Sequence, residues 1–245
     1  MKLLNIFIFT ILFFSKCYAE INIAVAANMK GTADLLIKEF NKNHDIKINV
    51  ISASSGELFH QISNSAPFQL FISADTNYPD MLVKNNLTTD DPYIYAYGLL
   101  VIALANKNIE INDITDINNK KISYIAIANP NLAPYGKVAM EILKEQNLYD
   151  KIKDKIILGN SINEVNQLVF SKSVDIAFTN KSALVLDKSL KYYEIPTNLY
   201  SPIPQSLVLI KTNNKKVAQE AKMFYDFLKS IEAKKILINS GYLVK

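Results

Sequence analysis

The 245-residue chain contains no arginine, and its 27 basic residues are all lysine. An anion bound here therefore cannot be held in a bidentate guanidinium fork, and recognition falls to single donors. The one cysteine, Cys17, lies in a segment that reads as a leader. The rest of the chain thus lacks a disulfide, a thiolate nucleophile and a Cys-ligated metal site. Also missing are a P-loop, a dinucleotide-binding glycine pattern, an H-E-x-x-H helix and a G-x-S-x-G elbow. The two histidines stand apart: His44 sits in a polar loop and reads as solvated, while His60 is on a short helix after Ser55 and within possible reach of it. A Ser–His pair needs an orienting third group and an oxyanion hole, and neither is legible. These absences argue for a binding protein rather than an enzyme, with no cofactor.

Residues 1–19 read as a secretory signal. Met1-Lys2 is a basic start, Leu3–Phe14 is a twelve-residue apolar run, and Ser15–Ala19 carries small side chains at Cys17 and Ala19. The run is shorter than the roughly 20 apolar residues that span a bilayer. Cleavage after Ala19 and export to the periplasm are expected; Lys16 fits poorly with a lipoprotein signal at Cys17. Beyond Ala19 the chain holds 25 lysines against 23 acidic residues, a net charge of +2, which is no argument for nucleic acid. No further long apolar stretch follows.

From Glu20 onward strands and helices alternate. Ile21–Ala26 reads as a buried strand, and apolar residues at Met29, Ala33, Leu36, Ile37 and Phe40 then recur at the helical period. Strands over Ile46–Ala53 and Phe68–Ile72 alternate with helices over Glu57–Ile62 and Tyr78–Asn86, the rhythm of a parallel sheet covered by helices. Tyr93–Ala105 is too long for one strand and reads as a crossing into a second α/β unit; Pro202–Ile210 reads as the return crossing. The expected fold is α/β with two lobes. Residues 20–96 and 208–245 form lobe 1, residues 97–207 form lobe 2, and each lobe is a mostly parallel sheet flanked by helices. Two crossing strands make a hinge, and hinged closure around a ligand is an established binding mode.

Four strand-to-helix junctions carry small or hydrogen-bonding residues: Ala26-Ala27-Asn28, Ser54-Ser55-Gly56, Ala133-Pro134-Tyr135-Gly136 and Asn160-Ser161-Ile162. Ligands of open α/β sheets sit beyond the carboxyl ends of strands, where helix N-termini offer unpaired N–H groups to an anion. Singly, each junction reads as an ordinary cap. Two per lobe, symmetrically placed, read as an anion site.

These segments, with Ala66-Pro67-Phe68-Gln69-Leu70-Phe71-Ile72-Ser73-Ala74-Asp75, Ala126–Pro130 and the Gly241-Tyr242 tail, resemble the periplasmic molybdate-binding proteins of ABC transporters. The likeness covers essentially the whole chain after the leader. It implies the type II two-lobe binding-protein fold, an oxyanion (molybdate or tungstate) in the cleft, a membrane permease as partner, and a monomer. It also implies a site: Asn28 and Ser55 supply side-chain donors, Tyr135 and Ile162 supply backbone N–H groups, and Ala27 adds another. Phe178 falls where some members carry a tyrosine that reaches the anion, so that contact is absent here. Molybdate is a full dianion that accepts hydrogen bonds and donates none, which suits such a donor-only set. Sulfate is the rival of the same charge and shape. Phosphate keeps a proton and needs an acceptor; Glu57, two residues past Ser55, is the nearest carboxylate and reads as a first-turn helix acid. Lys30 and Lys137 follow two of the loops and read as solvated rather than as ligands. An exported Ser55-dependent hydrolase is the alternative of another class.

Overall fold

A computed structural model describes residues 20–244; the expected leader lies outside the described residues. The chain begins with β1 (Glu20–Ala26), α1 (Lys30–Phe40), β2 (Lys47–Ala53), α2 (Ser55–Ser63), β3 (Leu70–Ser73), α3 (Asn77–Lys84) and β4 (Tyr93–Gly98). After Leu99 come β5 (Leu100–Leu104), β6 (Ile125–Ala128), α4 (Pro134–Glu145), α5 (Tyr149–Ile152), β7 (Ile156–Gly159), α6 (Ile162–Phe170), β8 (Ile176–Asn180), α7 (Lys181–Asp187) and β9 (Lys191–Glu194). It closes with β10 (Ile203–Leu209), α8 (Lys215–Phe227) and α9 (Ile231–Asn239).

The strands form two five-stranded sheets of matching design, ordered β2-β1-β3-β10-β4 and β7-β6-β8-β5-β9. In the first, β1 pairs parallel with β2 and β3, and β10 runs antiparallel between β3 and β4. In the second, β6 pairs parallel with β7 and β8, and β5 runs antiparallel between β8 and β9. Four strands of each sheet thus run one way and one runs against them, as the mostly parallel expectation holds.

Helices cover both faces of the first sheet. Leu36 and Phe40 of α1 pack with Phe224 of α8 and Leu237 of α9 on one face, against Ile21, Ile23 and Val25 of β1. Leu58 and Phe59 of α2 join Leu82 of α3 against Ala24 and Phe71 on the other. The second core gathers Ile102, Ile127, Ile142, Val165 and Phe178, and it also takes in Ala26, Ala27 and Ala74 from the first unit. Small side chains at those loop ends let the two units approach closely.

Several expectations shift. The chain passes between sheets at Leu99 and again between Glu194 and Ile203, so Tyr97, Gly98 and Ile203–Leu207 pair within the first sheet rather than the second. The extended stretch Ile203–Leu209 is long because β10 pairs along both edges, with β3 and with β4, not because it crosses. Helix α7 and strand β9 carried no signal strong enough to be expected. His44 is half-buried rather than solvated: its ring stacks on Phe40 with centroids 4.2 Å apart.

Candidate functional site

The carboxyl ends of β1, β2 and β3 face those of β6 and β7 across a cleft, and the four expected junctions meet there. They enclose a small cavity of about 10 Å³, lined by Ala26, Ala27, Asn28, Ser54, Ser55, Ala74, Ala133, Pro134, Tyr135 and Ile162. All five expected site residues are in that lining, and no charged side chain is. That is room for about one water-sized sphere, far below the roughly 300–1,000 Å³ of drug-sized pockets, so the site admits nothing larger than a small ion. A larger hollow of about 760 Å³ lies beyond the end of β5, lined by Lys107, Phe170, Lys191 and others, but no helix N-terminus of the four junctions points into it.

Each junction owes its donors to local geometry. Ser54 caps α2 through a reciprocal capping box: the Glu57 N–H donates to Ser54 Oγ at 3.3 Å, and the Glu57 carboxylate accepts from the Ser54 N–H at 3.0 Å and hydroxyl at 2.8 Å. Glu57 is therefore engaged with the cap and is not a cavity-lining acceptor. Ser55 follows at the first helical position, where an N–H has no partner within the helix. Its Oγ accepts the Ala74 N–H at 3.1 Å, which fixes the oxygen and leaves the hydroxyl proton to be donated. Ser161 caps α6 through the Glu164 N–H at 3.4 Å, and buried Ile162 stands at that helix's first position.

Helix α4 differs, because its cap residue is Ala133, with no side-chain oxygen. Pro134 at the first position has no N–H, so the donors begin at Tyr135. The helix start is pressed onto β6: a Cβ on Gly136 would lie 2.0 Å from the Ala128 carbonyl oxygen. The Tyr135 side chain runs away into the core, and burial pushes its phenol well above the usual tyrosine range. What Tyr135 offers the cavity is its backbone.

Asn28 departs from expectation. Its side-chain Nδ2 donates to Gln205 Oε1 at 2.8 Å and to the Tyr242 hydroxyl at 3.1 Å. The orientation is forced, since Gln205 Nε2 donates to the Ala74 and Ile203 carbonyls and its oxygen must face Asn28. Both amide protons of Asn28 are thus used within the protein. What residues 27 and 28 can present to a ligand is backbone N–H, at the start of a 3-10 turn over Ala27–Met29. The Asn28 carbonyl in turn accepts from Asn180 Nδ2 at 3.2 Å, the Ser182 hydroxyl at 3.1 Å and the Tyr242 hydroxyl at 2.9 Å. Asn180, Ser182, Gln205 and Tyr242 escaped sequence reading. The available signal was polarity inside otherwise apolar strands, as at Gln205-Ser206 between Ile203 and Leu207.

Other residues stay outside. Phe178 is buried in the second core and does not line the cavity. Lys30 and Lys137 are exposed. His60 is exposed with its ring edge-on to Phe59, whereas Ser55 is buried and bonded to Ala74. The Ser–His pair of a hydrolase is not formed.

Residues 21–243 match the family described as bacterial extracellular solute-binding protein. The molybdate-binding protein ModA of Rhodobacter capsulatus is 30% identical over 227 residues, covering 92% of this chain and 89% of that protein. The solved periplasmic molybdate-binding protein of Azotobacter vinelandii superposes with a TM-score of 0.87 at 28% identity, over 92% of this chain and 99% of that one. The sulfate-binding protein SubI of Mycobacterium tuberculosis has the same fold at 15% identity, with a TM-score of 0.76 over 92% of this chain and 86% of that one.

Proposed function

Because the chain belongs to the bacterial extracellular solute-binding protein family, whose members are carriers rather than enzymes, we propose that it captures molybdate or tungstate and delivers it to an ABC transporter permease. The observation that carries the proposal is the cavity itself, lined by the Ala27-Asn28 turn and the first residues of α2, α4 and α6, Ser55 among them, with no carboxylate. A dianion without protons is satisfied by donors alone. Hydrogen phosphate would bring a proton with no carboxylate in the lining to accept it, a buried mismatch costing about 1–3 kcal/mol. Sulfate meets the same donors, and its exclusion depends on how the loops are spaced.

In this reading the ligand contacts are the backbone N–H groups of Ala27, Asn28, Ser55, Tyr135 and Ile162 together with Ser55 Oγ. No protein atom bonds the metal centre directly. The lobes are residues 20–98 with 203–244, and residues 100–202, hinged at Leu99 and at the returning segment. The protein is exported to the periplasm by residues 1–19, cleaved after Ala19, and acts as a monomer.

Ser55→Ala is the direct test. Losing one hydrogen bond to a charged group costs about 1.5–3 kcal/mol, so molybdate affinity by calorimetric titration should fall roughly 10- to 150-fold. Unchanged affinity would remove Ser55 from the site. Hydrolytic turnover by the wild-type chain, lost in the same variant, would favour the enzyme alternative.

A further inference from the structure

The C-terminal tail of the first lobe reaches the hinge and the site together. After α9 the chain turns at Gly241, whose φ of +86° suits glycine and which packs against Lys181 and Val185 of α7 in the other lobe. Leu243 then pairs with Tyr97, two residues before the crossing at Leu99, through bonds of 2.7 and 2.9 Å. Between these points Tyr242 is buried, and its hydroxyl lies among groups from both lobes. It donates to the Asn28 carbonyl at 2.9 Å, accepts from Asn28 Nδ2 at 3.1 Å, and meets the Ser182 hydroxyl at 3.2 Å. Ser182 also receives Asn180 Nδ2 at 2.7 Å, and both reach the Asn28 carbonyl.

We propose that Tyr242 is a positioning residue that latches the two lobes closed, its hydroxyl tying the anion-binding turn at Asn28 to Ser182 across the cleft. Tyr242 does not line the cavity, so its action on the ligand passes through Asn28. The latch also explains why Asn28 spends its side chain inside the protein: the amide and carbonyl hold the turn while the backbone N–H faces the ligand. Apparent affinity scales with the fraction of molecules in the binding-competent state, so a weaker latch weakens binding without touching a ligand contact. Burial raises the Tyr242 phenol to about 12, so it stays protonated at ordinary pH.

The prediction for ligand affinity rests on the molybdate reading; closure itself has a reporter that does not. The Gly56 N–H donates across the cleft to the Leu132 carbonyl at 3.0 Å, so its hydrogen exchange reads lobe separation. Tyr242→Phe removes only the hydroxyl. Without anion, Gly56 exchange should rise about tenfold while β1 amides such as Ile23 keep their protection. With molybdate, affinity should weaken about tenfold, mainly through faster release. Unchanged Gly56 exchange overturns the latch. If β1 amides accelerate equally, Ser182→Ala and the double variant decide: a shared contact gives a double effect smaller than the sum, and strict additivity overturns the proposal. If wild-type protein ignores molybdate while the Gly56 result holds, the cargo assignment fails and the latch stands.

Discussion

Ala133→Asp should abolish tight oxyanion binding while leaving the protein at least as stable as before. Ala133 is the cap of α4, in extended conformation with φ −119° and ψ 119°, and has no side-chain oxygen to bond the helix start. Aspartate is among the best caps, worth about 1 kcal/mol over alanine, and a negative charge there also complements the helix dipole. The same carboxylate would occupy the N–H groups of Tyr135 and Gly136. It would also put a negative charge beside a cavity whose lining carries none. Like charges brought together at a desolvated contact cost several kcal/mol, and about 4 kcal/mol is a thousandfold in affinity. Titration with molybdate should therefore show a loss of about a thousandfold or more, with a melting temperature unchanged or higher. Ala133→Ser, a neutral cap, should lose less. An Asp variant that binds normally would place the anion elsewhere. Stability withheld at a helix start is what leaves those donors open to a ligand.

Gly136→Ala should be the most damaging single-methyl change at the site. The added Cβ meets the Ala128 carbonyl oxygen at 2.0 Å and its carbon at 2.6 Å. Both are backbone atoms of β6, so no side chain can swing aside. Helix α4 has to lift from the strand, at a cost of about 3 kcal/mol for forced overpacking. For a chain of this size each kcal/mol moves the melting point by about 2–4 °C, so a drop of roughly 6–12 °C is expected by circular dichroism. The same movement carries the Tyr135 N–H out of register, and molybdate affinity should fall at least tenfold. A variant with wild-type melting and affinity would show that the helix start is not wedged on the strand.

How much of this was legible in the sequence follows from which signals are local. Strand-then-helix periodicity is local, so the elements around Ala26, Ser55 and Ile162 were readable within a few residues, as were the junctions that meet in the cavity. Sheet membership is not local. Tyr93–Ala105 reads as one extended piece, and only pairing reveals that it changes sheet at Leu99. The stretch Ile203–Leu209 looked like a crossing because a strand paired on both edges and a hinge strand are both long and extended. Side-chain direction is less local still. Asn28 was identified as a site residue by position, but its partners Gln205 and Tyr242 lie 177 and 214 residues away, and nothing near Asn28 says its amide turns toward them. Ser55 lies in the lining, and its orienting partner, the Ala74 N–H, emerges only when β3 lies beside β1.

The most direct test of the central claim is thermal unfolding with molybdate, tungstate, sulfate and phosphate, each at the same concentration. A ligand that binds only the folded state stabilises it by RT ln(1 + [L]/Kd), about 2.7 kcal/mol at a hundred times Kd, which corresponds to roughly 5–11 °C here. A donor set without a carboxylate should give that shift with molybdate and tungstate and none with phosphate; a shift with sulfate as well would keep the transport role and widen the cargo. A shift with phosphate equal to that with molybdate, or no shift with molybdate at all, would contradict the account.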